Sequence, residues 1–267
     1  MRVVICDTVG AATDRVVGLL VAQIRDKPQS VLGLATGGAM ERVYGELVCQ
    51  YQDGLSFAGL ITFNLDEYVG LAPEHPQSYA DYMRHRLFDH INIDQSRCFI
   101  PNGTAHPTQE ARAYEALIAE HGPIDFQLLG LGRNGHIGFN EPSSSLGSST
   151  REKALTQDTL EANKRFFSEG ETMPVSAITM GVKTICSAQK IVLLAFGSHK
   201  AQAVKNMIEG PLSAFCPASV LQMHPNATVV IDADAAQLLE LKDHYLHQER
   251  IQRRREIAAN GSGFIED

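Results

Sequence analysis

The sequence predicts an α/β fold: an open, mostly parallel sheet with helices on both faces. Three observations predict it. Short runs of branched apolar residues recur along the chain, helix-period stretches separate them, and no Pro/Gly/Ser-rich linker divides the chain into halves.

The first run, "RVVIC" at 2–6, precedes "AATDRVVGLLVAQIRD", whose apolar residues return at helical spacing. "SVLGLA" at 30–35 leads into the helical "AMERVYGELVCQYQ". "LITFNL" at 60–65 leads into a segment that Pro73 and Pro76 keep from continuing as a helix. "IDFQLLGL" at 124–131 follows the helical "TQEARAYEALIAEHG", and "KIVLLAF" at 190–196 precedes "KAQAVKNMIEG"; both helices close on a glycine in the C-cap position. "ATVVID" at 227–232 completes the strands. Runs that stay apolar, rather than alternating with polar residues, suit strands covered on both faces. The alternation of strand and helix is Rossmann-like, and residues 1–267 read as a single domain, long enough to bury a core without staples. Residues 143–180 are less regular: "SSSLGSST", a polar helical stretch and "PVSAITMG" read as a lid over a site.

Composition narrows the partners. Apolar residues make up 44% and charged residues 20%, as in ordinary globular proteins. A balance of 23 basic against 31 acidic residues gives a net charge of -8, which repels nucleic acid and anionic membrane surfaces. A phosphorylated ligand therefore needs a local basic pocket. Five scattered cysteines without a C-x-x-C pair read as reduced thiols, and no apolar run is long enough for an export signal or a bilayer span. The expected compartment is the cytoplasm.

Ligands of open α/β sheets bind beyond the carboxyl ends of the strands, and three such ends carry chemistry. At the first, Thr36, Gly37 and Gly38 stand between a strand and a helix beginning near Ala39, where backbone N–H groups can approach an anion. A plain turn needing glycine gives the same pattern. At the second, Asp66 and Glu67 follow an apolar strand. A carboxylate held there in a cleft can move a carbon-bound or hydroxyl proton, although on local grounds a solvated aspartate capping the next helix is the better reading.

The third is "LLGLGRNGHIGFNEP" at 128–142. Its G-x-G-x-x-G spacing suggests a dinucleotide turn, but Gly138, Pro142 and three serines follow where that turn requires a helix. The glycines instead free the backbone to present His136, with Asn134 and Glu141 near enough to fold around it. A carboxylate beside a histidine fixes its tautomer and suits acid/base work; a buried structural histidine is the bland alternative. Arg165 and Lys200 are further candidates for an anion site, Lys200 because it follows a strand and opens a helix.

Together "ATGG", "TFNLDEYVGL", "EHPQSY", "GLGRNGHIGFNEP", "ANKRFF" and "GSHKA" resemble the glucosamine-6-phosphate deaminase (isomerase) family, in its order and over most of the chain. The resemblance implies conversion of glucosamine 6-phosphate and water into fructose 6-phosphate and ammonia, with no cofactor and no metal. It implies Asp66 as the base between C2 and C1, and His136 with Glu141 as the ring-opening pair. It assigns Thr36, Gly37, Gly38, Arg165 and Lys200 to the phosphate. Asn134 stands where some members have aspartate; unable to take a proton, it should only orient His136. Some members are hexamers that bind N-acetylglucosamine 6-phosphate at an allosteric site. Ser144, Arg151 and Lys153 match that site, whereas Ala154 and Gln248 depart from it. The rival readings are a 6-phosphogluconolactonase-like hydrolase and a non-catalytic sugar-phosphate sensor.

Overall fold

The computed structural model describes residues 1–157, 160, 161, 167 and 173–259. The six expected strands are present: β1 (Arg2–Cys6), β2 (Val31–Leu34), β3 (Ile61–Asn64), β6 (Phe126–Gly130), β9 (Ile191–Ala195) and β10 (Ala227–Asp232). A two-residue strand, β5 (Cys98–Phe99), joins them in one seven-stranded sheet of order β1-β10-β9-β6-β2-β3-β5. Every pairing in it is parallel. All five residues of β9 and all four of β2 are buried, as strands covered on both faces must be.

A second sheet stands apart from the sequence expectation. β4 (Asp66–Tyr68), β7 (Arg151–Ala154) and β8 (Ser176–Thr179) form a three-stranded antiparallel sheet of order β4-β8-β7. The segment read as a lid thus opens with turns and carries strands β7 and β8 on either side of its middle, most of which lies outside the described residues.

Helices α1 (Val9–Asp26), α2 (Gly38–Gln52), α4 (Pro107–His121) and α6 (Ala201–Ile208) are those the periodicity predicts. Thr8 caps α1, its Oγ1 accepting from Ala11 N at 3.1 Å. Gly122 is the C-cap of α4, but α6 ends on Glu209, one residue before the expected Gly210. Helices α3 (Tyr79–Arg86), α5 (Val182–Cys186) and α7 (Lys242–Ala259) were not foreseen. α3 begins after Pro73 and Pro76, with Ser78 Oγ accepting from Asp81 N at 3.0 Å. α7 is clipped to β1: Arg2 donates to both Glu249 oxygens, at 2.7 and 2.9 Å, and also to Glu256.

The chain leaves β2 for β3 on one side and later returns to place β6 on the other. Such a reversal opens a crevice at the strands' carboxyl ends. Four neighbouring strands, β9, β6, β2 and β3, deliver their following residues there.

Candidate active site

The loop after β6 is folded around its histidine. His136 Nδ1 lies 3.1 Å from Glu141 Oε2, and Asn134 Nδ2 donates to the same oxygen at 2.7 Å. Glu141 is 2% exposed, so this carboxylate has little water to turn to. With Nδ1 facing the carboxylate, Nε2 is the nitrogen left for a ligand. Asn134 does not touch the ring. It acts on the partner carboxylate and, through Oδ1, on the backbone N of His136 at 3.2 Å.

The glycines of this loop have separate reasons. The imidazole lies over Gly132, where a Cβ would stand 2.4 Å from Nε2, Cδ2 and Cε1. Gly135 has φ 84° and abuts Cys216, whose Sγ would lie 2.5 Å from an added Cβ. Gly138, at φ 56°, packs between Thr179 Oγ1 and Asp66 Oδ2, which would stand 2.9 and 3.2 Å from a Cβ there.

Gly138 thereby brings the histidine loop against the second carboxylate. Asp66 is 5% exposed and pairs with Thr179 across β4 and β8, so it is no solvated turn residue. Burial, with the neighbouring Glu67, pushes its pKa up to about 8. The helix-capping role falls to Glu67, which accepts from Tyr79 N and Ala80 N at 3.0 Å each and from Tyr68 N at 2.8 Å. Burial pushes the Glu67 carboxyl up, and these three bonds offset only part of that rise. Adjacent acids in the sequence therefore have different employment: one is tied to α3, and the other points at the loop.

The loop after β2 is a glycine turn, with Gly37 at φ 105° as the N-cap of α2, which starts at Gly38 rather than Ala39. Tyr82 donates to Gly37 O at 3.0 Å. Beyond β9, Lys200 donates from Nζ to Leu131 O at 2.6 Å and opens α6 as expected. Burial, then the Arg133 charge, lowers its ammonium to about 8. Arg165 lies outside the described residues.

Of the positions matched to an effector site, Arg151 and Lys153 share a face of β7, and Ser144 is 2% exposed with its N bonded to Glu141 O at 3.0 Å. Arg151 donates to Asn140 Oδ1 at 2.9 Å. Ala154 ends β7, whereas Gln248 lies on α7 beside β1.

A family model described as glucosamine-6-phosphate isomerases/6-phosphogluconolactonase matches residues 7–230. The chain belongs to that family. Within it, the chain is 54% identical to the glucosamine-6-phosphate deaminase of Hahella chejuensis, over 92% of this chain and 94% of that one. It is 55% identical to the deaminase of Rhodopirellula baltica, over 86% and 92%. A solved structure described as a monomeric glucosamine-6-phosphate deaminase superposes with a TM-score of 0.86 at 45% identity, covering 90% of this chain and all of that one. The 6-phosphogluconolactonase of Leishmania guyanensis shares the fold at a TM-score of 0.73 but only 19% identity.

Sequence reasoning missed an aromatic wall beside this family site. Tyr68, Tyr79 and Phe139 pack together, with Tyr68 and Tyr79 ring centroids 4.9 Å apart. Leu160 and Phe167 pack against this group, so described parts of the irregular segment lie next to the site. Asn140 was missed too, although its carboxamide donates to Ile137 O and Met180 O at 2.9 and 2.8 Å. Its neighbour Glu141 drew attention by type; a buried amide has no such signature. Among the described residues no cluster of three or more His, Cys, Asp and Glu could hold a metal, and no helix is long and apolar enough to cross a membrane.

Proposed function

We propose that the chain is a glucosamine-6-phosphate deaminase that converts glucosamine 6-phosphate and water into fructose 6-phosphate and ammonia, as an enzyme of amino-sugar breakdown in the cytoplasm. The observation that carries this is the convergence on Gly138 of a buried carboxylate, Asp66, and the His136 loop with its Glu141 partner.

The chemistry divides between them. Ring opening needs a proton delivered to the ring oxygen and one taken from the anomeric hydroxyl, and His136 Nε2 backed by Glu141 supplies such a relay. Opening exposes a C1 carbonyl, which acidifies the C2 proton. Asp66 in its ionised form takes that proton and returns it to C1 as the nitrogen lone pair closes a C=N bond at C2, and the proton that nitrogen gives up goes to O1, leaving a C1 hydroxyl and a C2 imine. Water adds to the imine and ammonia leaves, giving the ketose. Burial favours the neutral acid, so the ionised form is basic enough to take a carbon-bound proton. The phosphate is held by the Thr36–Gly38 turn, Arg165 and Lys200, with Leu160 and Phe167 flanking the bound sugar.

Arg151 is committed to Asn140, so we read it as a support of the His136 loop more than as an effector ligand. With Ala154 and Gln248 off the allosteric pattern, N-acetylglucosamine 6-phosphate should leave the rate unchanged.

One assay tests the reading: ammonia and fructose 6-phosphate formed from glucosamine 6-phosphate, with Asp66→Asn as control. An inert wild type, or a fully active mutant, overturns it.

A further inference from the structure

Three side chains gather at the carboxyl ends of β6 and β9: the cations Arg133 and Lys200, and the imidazole of His199. The Lys200 Nζ to Leu131 O bond of 2.6 Å anchors the lysine two residues before Arg133 in the loop. His199 precedes it and folds back over Gly197, its Nδ1 standing 2.9 Å from where a Cβ would be. Arg133 and His199 are exposed, and neither makes a hydrogen bond or ion pair with any described residue.

Asp232, the carboxylate that acts on His199, does not neutralise the cluster. It is buried and already accepts from Gly197 N at 3.0 Å and Ala235 N at 2.8 Å. After burial, it is Arg133 that lowers the Lys200 pKa, and Lys200 with Arg133 that lowers that of His199. Two cations, Arg133 and Lys200, near enough to feel one another and without a full counter-charge, disfavour the empty site and favour an anion that meets both. The chain as a whole carries -8, so this concentration of positive charge is local.

We propose that Arg133 and His199 join Lys200 in gripping the phosphate monoester of the substrate, the guanidinium as a two-oxygen fork and the imidazole as a single donor. The inference rests on the deaminase reading for its substrate, but the anion site can be tested without turnover.

The experiment is calorimetric titration of the full-length protein with inorganic phosphate, run on the wild type, Arg133→Gln and His199→Asn, alongside steady-state deamination. Each substitution should raise the phosphate Kd about 5- to 30-fold, as expected for one charge-assisted bond. KM should rise in parallel, with kcat nearly constant. Arg133→Lys should fall between wild type and Arg133→Gln. A phosphate Kd indifferent to both neutral substitutions, or a wild type that binds no phosphate, overturns the proposal. A wild type that releases no ammonia yet binds phosphate in this Arg133-dependent way overturns the deaminase reading alone.

Discussion

Arg151 holds Asn140 by one hydrogen bond, Nη1 to Oδ1 at 2.9 Å, and Asn140 in turn holds the backbone of Ile137, the residue after the histidine. The carboxamide is fully buried and uses both of its ends. The small antiparallel sheet thus fixes the loop that carries His136.

Asn140→Asp should expose the dependence. The Arg151 bond survives as an ion pair, but a carboxylate oxygen would face the carbonyls of Ile137 and Met180 in place of a donor. We expect a loss of about 2–4 kcal/mol, read from the urea midpoint at constant m. A neutral result would show that the loop is held elsewhere.

Asp66 sets a pH dependence with a definite sign. Its folded-state pKa, about 8, lies above the ordinary 3.8, so the native protein keeps a proton across that window which the unfolded chain has released. Stability therefore falls as pH rises from about 4 to 8 and levels off outside it. Asp66→Asn should melt higher than wild type at pH 8, with the gap closing toward pH 4. The wild-type kcat/KM should show an acid limb near pH 8 that this variant, lacking activity, cannot display.

At the proposed ring-opening pair, His136→Gln should lower kcat about 10²- to 10⁴-fold, as for other lost acid/base groups. Asn134→Asp should be tolerated, because Asn134 moves no proton itself and a proton shared between the two carboxyls can replace the Nδ2 bond to Glu141. Loss of nearly all activity from the folded Asn134→Asp variant would contradict this.

Gly135 and Cys216 offer a double-mutant cycle. Gly135→Ala adds a Cβ that meets Cys216 Sγ at 2.5 Å, on top of about 1–2 kcal/mol for a left-handed backbone. Cys216→Ala removes the sulfur. Combined, the two should be less destabilising than their sum by about 1 kcal/mol, the steric share alone being relieved. Strict additivity would mean that the loop moves away freely.

How much of this was legible depends on what kind of interaction writes the signal. The main-sheet strands are read directly, because a strand buried on both faces needs a run such as "IVLLA". β4 and β7 are written "DEY" and "REKA", and their pairing through β8 is decided by tertiary position, not by a hydrophobic period. α3 had a readable start, Ser78 with Asp81 three residues on, which the prolines before it obscured. His136 and Glu141 lie five residues apart in one loop and could be paired on paper. Asp66 looked like a turn cap because nothing in "NLDEY" tells which acid will cap α3; the bonds of Glu67 to Tyr79 N and Ala80 N settle it.

The register of the sheet's outer edge bears on how the molecule comes together. Arg2 to Cys6 pair with Thr228 to Asp232, so β1, which emerges before the other strands of its sheet, has no ladder partner until β10 has been made. Closing so long a loop is entropically unfavourable and kinetically slow. The apolar "RVVIC" segment must wait, unpaired, until β10 is made, and chains cut short before β10 should collect as aggregates rather than as partly active protein.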